Sequence, residues 1–403
     1  MGSVTLHKLP IIDFTNENLK PGTSSWSKIC KEVISALEEY GCFVASYDKI
    51  SLELSDGVFH ALEELFDLPT EIKVQNRSTK PLYGYVGQIP FIPLYESMGI
   101  DDANTLEGIQ SFTKVMWPNG NYVFSEKLLP YTKLAAELEQ TVVRMVFDSY
   151  GVEKYYDSHI KSANYLCRVM KYREAKINES KMGFVSHTDK DFISTIHQNQ
   201  VNGLEIKAKD GEWFGVELSS SSSIIVMAGD AIMAWSNNRI PSPHHRVTME
   251  GKEARYSIAQ FSFMEKIVQT PEELIDEEHP LQYKPFDHLK YLEFYSKEEN
   301  RRLESAIRTY CARFLGVDSD SVTKLDNGDM SLVRDWIHRL SAFATRKAKN
   351  GLVPERKGHE KFLSSSKRVE EDDEDNETRW EEENTIIEYK YVSGFRGRGR
   401  GIT

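Results

Sequence analysis

The sequence predicts a mainly β fold with flanking helices, in which the strands are concentrated after residue 150. Many short alternating or apolar runs follow one another between residues 163 and 263, which is typical of a β-sandwich or barrel. Amphipathic helical patterns instead dominate the first 150 residues. We therefore divide the chain into a helix-rich region (1–150), a β-rich domain (151–315) and a C-terminal extension (316–403).

The first region begins with a short apolar strand, "LPIIDF". In the segment that follows, Ile29, Val33 and Leu37 recur every four residues and form one face of a helix, which Gly41 ends. "CFVAS" predicts a strand, and "DGVFHALEELFDLP" predicts a second amphipathic helix. "EKLLPYTKLAAELEQTVVRMVFDSY" predicts a long helix that we expect to break near Pro130.

The second region reads as a series of strand pairs. "ANYLCRVMKY" alternates, and "NGLEIKAKDGEWFGV" predicts a hairpin around Asp210 and Gly211. "SSIIVMAGDAIMAWSNNRI" predicts two apolar strands around Gly229 and Asp230. "HHRVTMEGKEARYSIAQFSF" predicts another pair that turns near residues 250 and 251.

The C-terminal part differs in texture. We expect a helix from Lys297 to about Leu315, and one amphipathic helix in "MSLVRDWIHRLSAFATRKA". An acidic run and the low-complexity "GFRGRGRG" follow, so we expect most of 350–403 to be disordered.

Composition limits the classes of function. The net charge of −12 over 403 residues argues against nucleic-acid or anionic-membrane binding by the main body. No apolar stretch is long enough to span a bilayer, and the N-terminus has no apolar core of a secretory signal. The four cysteines lack metal-binding spacing and fit reduced thiols in a cytoplasmic protein, which we expect to be a monomer.

The segment "GFVSHTDKD" places His187 and Asp189 two residues apart. On a strand, or at its end, such residues project to the same face. A His-x-Asp pair alone arises by chance in a chain of this length. His245 follows in "SPHHRVTM", after several predicted strands. Two histidines and one carboxylate on one face of a metal suit non-haem Fe(II) and O₂ chemistry, whereas structural zinc usually takes four closed ligands.

His244 competes with His245, because consecutive strand residues face opposite ways. We favour His245, since a turn near residue 250 would make it a near cross-strand partner of Arg255, whose face Ser257 shares. A buried arginine needs an anion: either a protein carboxylate or a substrate carboxylate held bidentately. Tyr172 could donate a second hydroxyl to the same carboxylate, although a strand tyrosine is more often a core residue.

With these residues in place, the chain resembles the plant 2-oxoglutarate- and Fe(II)-dependent dioxygenases. The resemblance spans about residues 9–315 and rests on "SHTDK", "SNNRIPSPHHRV" and "RYS" in that order. Through "LKPGTSSW", "EEYGCF", "YESMGIDDA" and "KPFDHLKY", it most resembles a subgroup that contains the enzymes that oxidise glucosinolate side chains together with relatives of unassigned substrate. This implies a double-stranded β-helix (jelly roll) core and a role in plant specialised metabolism.

The resemblance also implies roles for individual residues. His187, Asp189 and His245 match the iron ligands. The next set matches the residues that bind the distal carboxylate of 2-oxoglutarate: Arg255, Ser257 and Tyr172. Phe261 matches an aromatic residue that stacks on the substrate, and we add Phe263, Phe91 and Tyr95 as candidate lining residues. The implied reaction oxidises a small organic molecule with O₂, forms succinate and CO₂, and is supported by ascorbate.

Two departures keep alternatives open. Met170 stands where the family usually carries asparagine, and the extension 316–403 has no family counterpart. The first leaves room for a 2-oxoglutarate-independent oxygenase or oxidase on the same scaffold. The second leaves room for a non-catalytic interaction protein that acts through its acidic and Arg-Gly tail, with weak RNA binding.

Overall fold

The computed structural model describes residues 7–218 and 220–313, and all structural statements below concern these residues. The predicted tail helix and the predicted disorder of 350–403 lie outside them. Nine helices occur in the described part: α1 (Ser24–Tyr40), α2 (Leu52–Phe66), α3 (Thr70–Lys73), α4 (Leu106–Met116), α5 (Tyr122–Ser149), α6 (Tyr156–Lys161), α7 (Asp230–Trp235), α8 (His288–Ser296) and α9 (Ala306–Arg313). None of these helices is long and apolar enough to cross a membrane.

The described strands form two sheets. The major sheet contains, in spatial order, β1 (Ile11–Asp13), β2 (Cys42–Ser46), β9 (Ser223–Ala228), β6 (Ile193–Gln198), β11 (Arg255–Met264), β4 (Ala163–Tyr172) and β3 (Tyr95–Asp101). The minor sheet contains β5 (Met182–His187), β10 (His245–Thr248), β7 (Leu204–Lys207) and β8 (Trp213–Gly215). Neighbouring strands are antiparallel except β1 and β2. The mainly β fold with flanking helices is confirmed.

Two hydrophobic clusters lie on opposite sides of the major sheet. The larger cluster packs helices α1, α2 and α5 against the outer face through residues such as Leu37, Leu62 and Val142. A second cluster contains residues of both sheets, including Tyr172 of β4 and Val247 of β10. The space between the two sheets is therefore lined from both sides, as in a jelly roll.

The N-terminal strands belong to the same major sheet as the later ones. Thr23 caps α1 by accepting a hydrogen bond from the backbone N–H of Trp26, and Gly41 ends the helix at a φ of 69°. The chain then enters β2, which pairs with β9. The boundary near residue 150 in the sequence thus does not interrupt the sheet.

Pro130 does not break the long helix, contrary to prediction, because α5 runs through it. Leu128 and Tyr131, on either side of the proline, are both buried in the large cluster. Their packing offsets the roughly 3 kcal/mol that an internal proline costs a helix.

The prediction of a strand at "DAIMAW" is also wrong, because these residues form α7. Asp230, Ala231, Ile232, Ala234 and Trp235 are all buried. The five residues after Asp230 are all apolar and leave no polar face, so their periodicity cannot separate helix from strand. The hairpin around Asp210 and Gly211 is confirmed by the pairing of β7 with β8.

The predicted hairpin between β10 and β11 is wrong. β10 pairs with β5 and β7 in the minor sheet, whereas β11 pairs with β4 and β6 in the major sheet. The turn near residue 250 therefore carries the chain from one sheet to the other. A tight turn and a crossing between sheets use the same residue types, so the sequence did not separate them.

The region after β11 is more helical than predicted. The expected helix 297–315 is present as α9, which begins later, at Ala306. A short 3₁₀ turn at Asn300–Arg302 occupies its predicted first part, and α8 was not predicted. The four cysteines are buried free thiols, as expected.

Candidate metal and 2-oxoglutarate site

His187, Asp189 and His245 form one cluster in the structure. His187 ends β5, His245 begins β10, and the two are cross-strand partners. The Nε2 atoms of His187 and His245 lie 3.8 and 3.7 Å from Oδ1 of Asp189. One ligand atom from each residue falls within 4.8 Å of the others. Three donors at this spacing can bind one metal ion on a single face.

Both histidines are oriented by the backbone. Nδ1 of His187 lies 2.9 Å from the carbonyl oxygen of Val185, and Nδ1 of His245 lies 3.2 Å from that of Pro243. A carbonyl oxygen only accepts, so each Nδ1 carries the proton and each Nε2 presents its lone pair to the cluster. This is the tautomer that a metal ligand needs, and His244 is not part of the cluster.

Asp189 is fixed by its own contacts. The Ser194 hydroxyl donates to Oδ2 of Asp189 at 3.2 Å, and the Asp189 carbonyl accepts from the backbone N–H of Asp230. The side chains of Asp189 and His245 are 9% and 6% exposed, whereas that of His187 is 22% exposed. Burial, followed by the neighbouring His245, lowers the pKa of His187 and favours the neutral ring. The donor set of two imidazoles and one carboxylate suits Fe(II).

A buried ion pair supports the segment after β5, which carries Asp189. Lys190 Nζ lies 2.8 Å from Asp230 Oδ2 and donates to the carbonyl of Thr188, the residue between the ligands. The Tyr291 hydroxyl donates to the same carboxylate at 2.5 Å. The sequence analysis missed this network. Its signal is a lysine next to the ligand motif, but its partners are distant in sequence.

Arg255 lies on the facing strand β11 and is 1% exposed. Its guanidinium donates to Oε1 of Gln198 at 2.7 Å and to the Ser257 hydroxyl at 3.2 Å, and its Nε has no hydrogen-bond partner among residues 7–218 and 220–313. Within the described residues no carboxylate pairs with it. Burial lowers the pKa of Arg255, and the Tyr172 hydroxyl opposes that effect.

Tyr172 lies directly beside this arginine. The two residues are cross-strand partners, and the guanidinium lies 5.1 Å from the centre of the Tyr172 ring. The Tyr172 hydroxyl has a weak acceptor 3.7 Å away, the sulfur of Met170. The structure thus brings Arg255, Ser257 and Tyr172 together, although His245 is not the strand partner of Arg255.

Aromatic side chains connect the two groups. The Tyr95 ring lies 5.2 Å from Tyr172 and 4.6 Å from Phe184, whose ring lies 4.8 Å from His187. Phe184 was missed by the sequence analysis, and its position three residues before His187 is a signal that could have found it. Tyr95 is buried.

The other candidate lining residues differ in position. Phe261 is partly buried and contacts both the intersheet cluster and a small third cluster. Phe263 belongs only to the third cluster and lies 5.1 Å from His288. Phe91 lies in a turn, is 71% exposed and belongs to none of the three hydrophobic clusters of the described residues, so the structure does not place it in the lining.

The fold and this site define a class: a non-haem iron oxygenase that uses a keto-acid cosubstrate. Residues 158–263 match the 2OG-Fe(II) oxygenase superfamily, and residues 9–90 match the N-terminal region of non-haem dioxygenases in morphine synthesis. The chain belongs to the 2OG-Fe(II) oxygenase superfamily. It is a 2-oxoglutarate-dependent dioxygenase of small molecules, with Fe(II) as its metal and 2-oxoglutarate and O₂ as cosubstrates.

Named relatives and solved structures agree with this assignment. The chain is 45% identical to "Probable 2-oxoglutarate-dependent dioxygenase AOP1" of Arabidopsis thaliana, over 76% of this chain and 96% of that protein. It is 33% identical to "2-oxoglutarate-dependent dioxygenase AOP3" of the same plant, over 77% and 98%. A 2-oxoglutarate complex of the Arabidopsis thaliana dioxygenase for auxin oxidation 1 superposes with a TM-score of 0.61, at 26% identity over 68% of this chain and 99% of that one.

Proposed function

We propose that His187, Asp189 and His245 hold Fe(II), and that Arg255 and Ser257 anchor the distal carboxylate of 2-oxoglutarate with help from Tyr172. The observation that carries this proposal is a buried, incompletely paired arginine on the major sheet, together with three possible metal donors on the minor sheet and the segment that follows β5. A cosubstrate with a keto-acid head and a distal carboxylate satisfies both groups at once.

The metal end of the site (His187, Asp189 and His245) and the arginine end (Arg255, Ser257 and Tyr172) have different tasks. His187, Asp189 and His245 would hold the metal through three donors, and the iron would supply the chemistry that uses the keto acid and O₂. When bound, iron supplies the O₂ chemistry that decarboxylates 2-oxoglutarate and oxidises a C–H bond of the organic substrate. Arg255 offers two or more N–H groups in a fixed plane, which match a carboxylate better than a lysine would.

The substrate enters beside the metal, on the side where His187 is most exposed. Tyr95, Phe184 and Phe261 supply apolar walls that hold an organic substrate and exclude water. Hydroxylation is the default outcome of this geometry, and desaturation or dealkylation are variants. We infer a cytoplasmic monomer with a role in plant specialised metabolism that binds no nucleic acid, with regions 1–150 and 151–315 together forming the enzyme.

The test is succinate formation from 2-oxoglutarate by the purified chain with Fe(II), ascorbate and O₂, with and without a pool of plant metabolites. We expect succinate formation to require iron and to increase when the pool contains the substrate. Asp189→Ala should abolish it. Oxidation of pool compounds without added 2-oxoglutarate would instead favour the 2-oxoglutarate-independent oxygenase.

A further inference from the structure

Gln198 is the side chain that contacts Arg255 most closely. It ends β6, is the cross-strand partner of Ser257, and is 3% exposed. Its Oε1 accepts from the Arg255 guanidinium at 2.7 Å. The sequence alone predicts no role for Gln198, because its contact with Arg255 depends on how β6 and β11 pair.

The amide of Gln198 is held in one orientation. Arginine only donates hydrogen bonds, so the oxygen of the amide must face Arg255. The Nε2 group donates in the opposite direction to Oδ1 of Asn202 at 3.2 Å. Gly203 follows in the chain, and a β-carbon there would lie 3.3 Å from Cδ of Arg255. The arginine side chain is therefore placed by Gln198 on one side and by a close backbone on the other.

The chemistry of Gln198 differs from that of the usual partner of a buried arginine. A carboxylate would orient the guanidinium and neutralise it, whereas an amide orients it and leaves its charge intact. In the part of the chain that the structure describes, Nε of Arg255 has no partner, so part of the guanidinium remains without an acceptor there. An anion that enters the cavity then meets an oriented and unneutralised cation.

We propose that Gln198 is a positioning residue for the cosubstrate, and that its lack of charge sets the affinity for the distal carboxylate of 2-oxoglutarate. The inference rests on the proposed role of Arg255. It implies that the metal affinity is independent of residue 198, since none of the metal-cluster contacts involves Gln198.

The experiment measures calorimetric binding of 2-oxoglutarate to the full chain loaded with Mn(II), which does not support O₂ chemistry. Gln198→Glu keeps the shape and adds one charge, and Gln198→Met keeps the length without charge. Gln200→Glu is the matched control, because it adds the same charge two residues away at an exposed position. Mn(II) binding and thermal unfolding of the metal-free chain are measured for each variant.

We expect Gln198→Glu to weaken 2-oxoglutarate binding at least about tenfold and to raise the unfolding temperature of the metal-free chain, because the new carboxylate pairs with Arg255. Gln198→Met should weaken binding by less, about threefold, and lower the unfolding temperature. Gln200→Glu should change neither the affinity for 2-oxoglutarate nor the unfolding temperature. The Mn(II) affinity of all three variants should stay within about twofold of that of the parent chain. Binding of 2-oxobutanoate, which lacks the distal carboxylate, should be the same in Gln198→Glu and the parent chain.

Two results would overturn the inference while leaving the proposed function intact: a parent chain that binds 2-oxoglutarate no better than Gln198→Glu does, or equal losses in the Glu and Met variants. If the Mn(II)-loaded parent chain binds no 2-oxoglutarate, the role of Arg255 fails, and this inference fails with it.

Discussion

The metal end and the arginine end of the site are organised differently. At the metal end, His187, His245 and Asp189 each have an outer partner that orients them. At the other end, Arg255 is more deeply buried than His187, donates to two neutral acceptors, and has an Nε without a hydrogen-bond partner among the described residues. The first group is oriented before any ligand arrives, and the second is left with unmet hydrogen-bonding capacity.

This difference shows how a protein can separate a resident cofactor from a cosubstrate that is consumed. Ligands with fixed tautomers favour tight and lasting binding of a metal. A buried cation without an anion costs free energy, and in the proposed function the cosubstrate would offset that cost each time it binds.

The largest effect should come from removing a metal ligand. His187→Ala takes away one of three protein donors, so metal affinity should fall more than about 100-fold, beyond the usual loss for an outer partner. His279→Ala is the control, because His279 is an exposed histidine bonded to Asp276. Fe(II) binding and succinate formation are measured for both. Retained metal affinity in His187→Ala would exclude His187 as a ligand.

Breaking the support beneath the metal loop should act mainly on stability. Lys190→Met leaves Asp230 buried without its cation, which should cost about 3–5 kcal/mol in the free energy of unfolding. Lys181→Met is the matched control, because Lys181 pairs with Glu250 at the surface and should cost under about 1 kcal/mol. Chemical denaturation measures both. Equal losses in the free energy of unfolding would show that the buried pair stabilises the fold no more than the surface pair does.

Removing the cation at the other end should spare the metal. Arg255→Met keeps most of the apolar stem, so the chain should fold and bind Fe(II), but 2-oxoglutarate affinity should fall by about 1.5–3 kcal/mol, the usual worth of a charged hydrogen bond. The Michaelis constant for 2-oxoglutarate reports this loss. A parallel loss of iron would mean that the two ends are not independent.

The smallest expected effect concerns Met170. Its sulfur is the acceptor of the Tyr172 hydroxyl at 3.7 Å, and a thioether is a weak acceptor. Met170→Asn adds polar groups beside the cosubstrate site and should change the Michaelis constant for 2-oxoglutarate by about threefold. An unchanged constant would show that the substitution in this chain has no effect on the cosubstrate.

Spacing in the sequence was enough to find the residues of the metal end. His187 and Asp189 lie two residues apart in one motif. His245 was predicted from its position after several predicted strands and from the segment "SPHHRVTM". The arginine was found for partly wrong reasons, because β10 and β11 lie in different sheets and Arg255 is not the strand partner of His245. The role proposed for Arg255 rests on its burial and on the lack of a carboxylate partner among the described residues. Both features depend on tertiary packing.

The residues that were missed share one property: their contacts span large sequence separations. Gln198 contacts Arg255 through the register of β6 and β11, and Lys190 meets Asp230 and Tyr291 from α7 and α8. The helix α7 was missed because an apolar run without a polar face has no informative period. Local patterns therefore predicted the ligands, while their supports required the fold.

The most direct test of the account is an anaerobic titration of the Fe(II)-loaded chain with 2-oxoglutarate, followed by visible absorption. Chelation of Fe(II) by the keto and carboxylate oxygens gives a charge-transfer band. We expect this band in the parent chain, no band in His245→Ala, and a band that needs at least about tenfold more 2-oxoglutarate in Arg255→Met. An iron-loaded parent chain without the band, or an Arg255→Met chain with unchanged affinity, would contradict the account.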